Sequence, residues 1–205
     1  MLRGSRIWAK QSIAVGSVRD SYLESAGNIK ILTEAINSTV VANDSIVIPK
    51  AGRVVGGRLW AKNQIEAGTA GHVKGVPTVL AAGVNPHDEL HAAKLEAKIG
   101  WATEIEAQAI KLKEVAAPEQ HPELDKLASR LATNREQGEE ELNELKQKEV
   151  QYKNCRIKVS TGLHSGVRIR IGPGELVTDE DQHPATFYYE NDSGQVVEVN
   201  PKGDK

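Results

Sequence analysis

Hydrophobic positions in the first third of the chain recur in a fixed local pattern. Ile7-Trp8-Ala9, Leu23-Glu24-Ser25, Val40-Val41-Ala42 and Leu59-Trp60-Ala61 each place a large apolar residue two positions before a small one. Three mostly polar residues follow each triplet, and second triplets then begin at Ile13, Ile29, Ile46 and Ile65, in steps of 16, 17 and 19. A third apolar point recurs at Val18, Ile36 and Val54.

Alternation within a triplet puts its first and third residues on one face of a strand. A strand this short cannot bury that face alone. Stacking successive copies in parallel buries it in a continuous column of like residues. Three short faces per turn therefore predict a parallel β-solenoid over residues 1–85 rather than an antiparallel sandwich. The step length varies between the second triplet and the next copy, which assigns insertions to that corner. Gly, Asn and Asp near the corners supply the turn conformations.

From Asn85-Pro86 the period changes. Asn serves as an N-cap, Pro is tolerated in the first helical turn, and Asp88 and Glu89 complement the helix dipole. Leu95, Ile99, Ala102, Ile105, Ala109, Leu112 and Ala116 then form a helical stripe. The stripe stops at Ala117-Pro118. A second helix is predicted from Pro122 to about residue 151, with Leu124, Leu127, Leu131, Leu142 and Leu145 on its stripe. Asn134 and Gly138 occupy intervening positions, where weaker packing is expected. Two long charged helices joined by a Pro-bounded turn predict a projecting antiparallel coiled-coil hairpin over residues 86–152.

Alternation returns in residues 153–205. Ile157-x-Val159, Val167-x-Ile169-x-Ile171, Phe187-x-Tyr189 and Val197-x-Val199 are separated by Gly-rich turns. The first runs continue the solenoid. Asn191-Asp192-Ser193-Gly194 reads as a hairpin turn, so an antiparallel β cap closes the end. An open last rung would be an aggregating edge.

Composition sharpens this reading. Among 205 residues only 4% are aromatic, so the core is lined by aliphatic side chains. The formal charge is −2, from 26 basic and 28 acidic residues, which gives no general attraction to nucleic acid. No apolar run approaches the ~18 residues of a membrane span. The first ten residues contain no apolar signal core. With a single cysteine, Cys155, no disulfide framework forms, and a cytoplasmic location is expected.

The chain carries few patterns that point to chemistry. His87 and His91 are i and i+4 on the first helix, but HExxH is absent and a solvated surface pair is the plainer reading. GxSxG is absent, and Cys155 reads as a packed thiol at the start of a strand. Asp179-Glu180-Asp181 is a short acidic cluster. Polysaccharide-active β-helices need carboxylates from neighbouring rungs converging on one groove. The outward triplet centres are Trp8, Glu24, Val41 and Trp60, then Ala14, Lys30, Val47 and Glu66, and they form no acidic column. The uneven steps do not fit the 18-residue coil of left-handed acyltransferase helices. Gly172-Pro173-Gly174 lacks the further glycine and helix of a dinucleotide loop. Trp8 and Trp60 point away from the core and are candidate protein-contact residues, or else pack beneath neighbouring chain.

The order of these elements resembles a known family. The residues that carry the resemblance are Gly52-Arg53-Val54-Val55-Gly56-Gly57-Arg58-Leu59, Gly75-Val76-Pro77-Thr78 and Gly83-Val84-Asn85-Pro86, followed by the charged hairpin. Asn154 through Val159, Gly166 through Gly172, and Ala185-Thr186-Phe187-Tyr188-Tyr189 complete it. The chain is similar to the flagellar assembly protein A family, in its C-terminal portion. The resemblance implies a right-handed parallel β-helix interrupted by a coiled coil. It also implies a role in flagellar assembly exercised through protein contacts, and it supplies no catalytic motif. The expected protein is therefore a non-enzymatic scaffold without metal or cofactor. Its partners are proteins, with a homo-oligomer through the coiled coil among the expected arrangements. The alternative is a carbohydrate-binding or polysaccharide-modifying β-helix protein.

Overall fold

The computed structural model describes residues 1–115, 117–148, 152–181 and 183–199. Contacts divide the chain into two compact units, Met1–Pro86 with Gln151–Lys205, and His87–Val150.

The first unit is a β-solenoid. Its rungs are built from β1 (Leu2–Arg3), β2 (Arg6–Ala9), β3 (Ile13–Arg19), β4 (Tyr22–Ser25), β5 (Ile29–Ala42), β6 (Ser45–Val47), β7 (Arg53–Ala61), β8 (Gln64–Ala70) and β9 (Thr78–Ala82). All pairings among these nine strands are parallel. The registers stack like on like. One wall aligns Ile7, Leu23, Val40, Leu59 and Leu80. A second aligns Ile13, Ile29, Ile46 and Ile65, of which Ile13 is 8% exposed and the others fully buried. A third aligns Leu2, Val18, Ala35, Val54 and Ala70.

The third column corrects the sequence reading, because Ala35 occupies the place expected of Ile36. The register between β3 and β5 shifts between Val15 and Ser17, where the β5 rung has one residue more. A one-residue slip moves every following side chain to the other face. Ile36 therefore lies on the outward row, opposite Arg19 and Val55.

Buried hydroxyls tie one corner from rung to rung. The Ser21 hydroxyl donates to the Arg19 carbonyl at 2.7 Å and accepts the Ser5 amide at 3.1 Å. Ser38 repeats this with Ile36 and the Ser21 amide, and Thr78 with Val76 and the Gly56 amide. The residue before Ser5, Ser21 and Ser38 turns the chain through positive φ, at Gly4, Asp20 and Asn37. In the next rung Gly57 takes the hydroxyl position, because a Cβ there would sit 2.3 Å from the Ser38 carbonyl oxygen.

After the helical excursion the solenoid resumes. β10 (Arg156–Leu163) pairs in parallel with β8, and β11 (Val167–Ile171) with β9. Ile157 stacks on Ile65, and Ile169 on Leu80. The excursion leaves after Ala82 and returns before Arg156, which is in register with Gln64. It therefore occupies the corner between the two triplets, which in earlier rungs is a short turn of constant length. This is not the variable corner to which the step lengths assigned insertions. A corner whose two ends are pinned by adjacent strands can carry a long excursion as readily as a short turn, since only its ends are constrained.

The cap is antiparallel, as expected. β12 (Gly174–Val177) pairs with β11, β13 (Ala185–Glu190) with β10, and β14 (Gln195–Val199) with β13. Asn191 through Gly194 form the turn, with Gly194 at φ +68°. Phe187 is fully buried against the end of the column. On β14 the inward residue is Val196, whereas Val197 is half-buried and Val199 exposed, so the expected Val197-x-Val199 face is inverted.

The second unit is a pair of helices, α1 (Pro86–Val115) and α2 (His121–Lys148), joined through a 3-10 turn at Pro118–Gln120. Ion pairs Glu96–Lys146, Glu106–Arg135 and Lys113–Asp125, with a hydrogen bond between His91 and Glu141, fix their antiparallel register. Covered positions on α1 include Ala92, Leu95, Ile99, Ala102, Glu106, Ala109 and Lys113, in alternating steps of three and four. That is a heptad seam of period 3.5. The expected stripe took a step of three after Ala102 where the seam takes four, and so included Ile105 and Leu112, but Ile105 flanks the seam and Leu112 is exposed. Ala116 lies outside the described residues, as do residues 149–151 at the expected end of the second helix. On α2, Gly138 is buried, and a Cβ there would lie 3.1 Å from Ile99 Cγ1. The glycine thus makes the hole that Ile99 fills, rather than a weak point. Asn134 is exposed.

Candidate functional site

Period-two alternation that buries Ile7, Leu23, Val40 and Leu59 turns the residues on either side of them outward. The same registers then build two outward-pointing rows on the first wall. One row carries Arg6, Tyr22, Thr39, Arg58, Val79 and Arg168. The other carries Trp8, Glu24, Val41, Trp60, Ala81 and Arg170. Trp8 and Trp60 thus share a row, three strand spacings apart, or about 14 Å. Trp8 is 59% exposed. Trp60 is half-buried, and its register neighbours Val41 and Ala81 are 6% and 0% exposed.

Arginines and rings are interleaved on this wall. The Arg6 guanidinium lies 4.9 Å from the Tyr22 ring centroid, and that of Arg58 lies 5.9 Å from Trp60. Both distances are within cation–π range. The Tyr22 hydroxyl donates to Glu24 Oε2 at 2.8 Å. Burial, then this bond and the Glu24 charge, push the Tyr22 phenol up to about 12. Arg168 pairs with Glu175 at 3.2 Å, and Arg170 Nε donates to the Gly172 carbonyl. Neither Arg6 nor Arg58 has a carboxylate partner among the described residues.

The other two walls differ. On the second, the outward row runs Ala14, Lys30, Val47, Glu66 and Lys158, small or alternating in sign. On the third, Arg3 pairs with Asp20, and Glu34 is held between Arg19 and Arg53. The first wall combines exposed Trp8 and half-buried Tyr22 and Trp60 with Arg6 and Arg58, which lack carboxylate partners among the described residues. Trp, Tyr and Arg are the residues that dominate binding energy at protein interfaces.

Sequence reasoning singled out Trp8 and Trp60, and the structure places both on this face. It missed Arg6, Tyr22 and Arg58. The signal was present, since each directly precedes an apolar triplet and alternation puts it on the same side as the triplet centre.

The remaining chemical candidates have structural partners. Asp181 accepts the Ser165 amide at 2.9 Å and bonds His164 Nδ1 at 3.1 Å. The Ser165 amide, and then His164, hold its carboxyl below the ordinary value. Asp181 thereby anchors its loop to the corner after β10. Cys155 lies just before β10, and its Sγ–H donates to the Lys62 carbonyl at 3.3 Å. Burial pushes the thiol up, the opposite of what a reactive thiolate requires. His91 is engaged by Glu141 across the helical seam. Among the described residues no three His, Cys, Asp or Glu are grouped to hold a metal ion. Among the described residues no helix is long and apolar enough to cross a membrane.

Comparison with known proteins gives one result. The family model described as Flagellar Assembly Protein A beta solenoid domain matches residues 2–194. No curated protein and no solved structure gives a significant match.

Proposed function

The chain belongs to the Flagellar Assembly Protein A β-solenoid family, and from that premise we propose that it is a non-enzymatic scaffold whose first wall makes protein contacts in flagellar assembly. The observation that carries this reading is the wall itself. Its outward face combines Trp8, Tyr22 and Trp60 with Arg6 and Arg58 on strands held in register by a packed column. A rigid face of rings and guanidinium groups loses little conformational entropy on binding. The helical hairpin supplies a second surface for partner proteins.

A photo-crosslinking amino acid at position 8, in cells of a flagellated bacterium carrying this gene, tests the reading. Adducts with a defined protein at position 8, lost on Arg58→Glu and absent from a probe at Leu32 on another wall, are expected. Equal yields at positions 8 and 32 would refute it. Binding of polygalacturonate that depends on Trp8 and Trp60 would also refute it, in favour of a carbohydrate-binding protein.

A further inference from the structure

We propose that the arginine-bearing face of the first wall docks the acidic outer stripe of α2 from a second copy of this chain. The proposal rests on the reading of that wall as a contact face, and it names the occupant. Three observations carry it.

The first is the state of the arginines. The Arg6 and Arg58 guanidinium groups lie over the Tyr22 and Trp60 rings, and each carries N–H donors suited to a carboxylate. Arg6 and Arg58 have none among the described residues.

The second is the charge on α2. Glu136, Glu139, Glu140 and Glu144 line one shallow exposed groove with Asn143. None of the four carboxylates has an ion pair among the described residues. Glu136 with Glu140, and Glu140 with Glu144, are like-charge pairs four residues apart, which weakens a helix unless a cationic surface meets them.

The third is pitch. Arg6 and Arg58 are separated by the strands of Tyr22 and Thr39, so they stand about 14 Å apart. Glu136 and Glu144 are eight residues apart, about 12 Å along the helix. A helix crossing the strands meets both arginines with Glu136 and Glu144, two turns apart. Glu24 stands on the neighbouring row between the two arginines. The chain carries a formal charge of −2, which gives no general attraction to a polyphosphate, so a nucleic acid is disfavoured as occupant.

Sedimentation velocity of the full chain at 10–100 µM, in 50 mM and 500 mM NaCl, provides the test. Concentration-dependent association at low salt, weakened at least tenfold at high salt, is expected. Arg6→Glu with Arg58→Glu should weaken association at least tenfold, as should Glu136→Lys with Glu140→Lys and Glu144→Lys. An equimolar mixture of these two variants should recover association, because the reversed wall of one meets the reversed helix of the other and the native wall meets the native helix. A single chain carrying both sets should recover association, because the signs are exchanged on both surfaces. Circular dichroism of each variant establishes that these surface changes leave the fold intact.

A wild type that stays monomeric at 100 µM in low salt would overturn the proposal. So would association indifferent to either reversal, or a doubly reversed chain that does not associate. Tighter binding of a 20-nucleotide oligo(dT) than of the second copy would overturn it in favour of nucleic acid. If the chain is monomeric while position 8 still cross-links a different protein, this proposal falls and the contact-face reading stands. If both fail, the reading falls too.

Discussion

Ile65→Ala tests the packed column directly. Ile65 is fully buried on β8, stacked between Ile46 and Ile157 in register. The substitution removes three carbon groups, about 2.4 kcal/mol at ~0.8 kcal/mol each. A cavity term adds to this, because the site cannot collapse. Its floor and ceiling are β6 and β10, held on either side of β8 by parallel ladders at a fixed spacing of about 4.8 Å. The expected total is roughly 3–4 kcal/mol, inside the ~2–5 kcal/mol range for Ile→Ala in cores. Leu32→Ala is the control, since Leu32 is 51% exposed on the same solenoid, and a change within about 0.5 kcal/mol is expected. Urea unfolding followed by tryptophan fluorescence, in a Trp101→Phe background so that only Trp8 and Trp60 report, measures both. A loss for Ile65→Ala below about 1 kcal/mol, or one equal to the Leu32→Ala value, would refute the close-packed column.

Two further outcomes follow from local geometry. Gly172 has φ +54° and a Cβ there would sit 2.6 Å from the Tyr152 ring, whereas Gly75, at φ +65°, has nothing within 4 Å. Gly75→Ala should therefore cost only the backbone term of about 1–2 kcal/mol, and Gly172→Ala clearly more, read as a larger drop in melting temperature. The Tyr22 phenol, raised to about 12, should ionise later than the others in a 295 nm titration. The absorbance lost in Tyr22→Phe should thus come only from the top of the curve. Its folded value lies above the ordinary 10.0, so the associated stability is fully present below pH 10 and is lost as pH rises toward 12. A Tyr22→Phe difference curve centred near pH 10 would show that the Glu24 bond and the burial are absent.

Much of the solenoid was legible because its signal is local and repeated. The spacing between the first and second triplets is constant, and aliphatic residues at those positions have nowhere to be buried except against their copies. The antiparallel cap was legible for a similar reason, since Asn191-Asp192-Ser193-Gly194 is turn chemistry between two alternating runs. The errors have one physical origin. Ile36 and Ala35, Val197 and Val196, and Ile105 and Glu106 are each a question of phase. Phase is set by the partner strand or helix rather than by the segment itself. A one-residue shift beside Val15, the pairing of Tyr189 with Val196, and the strict alternation of three- and four-residue steps in a two-helix seam decided them.

By itself the sequence determined that the chain forms a parallel stack of short strands, a helical pair and a closing hairpin, because periodicity and turn residues act between near neighbours. Only the tertiary structure decided which corner releases the helices, which side chains face each other across rungs, and that Arg6, Tyr22, Trp8, Arg58 and Trp60 share one wall. Those residues are up to 54 positions apart in the chain. Their adjacency exists only once the ladder hydrogen bonds have fixed the register of one rung upon the next.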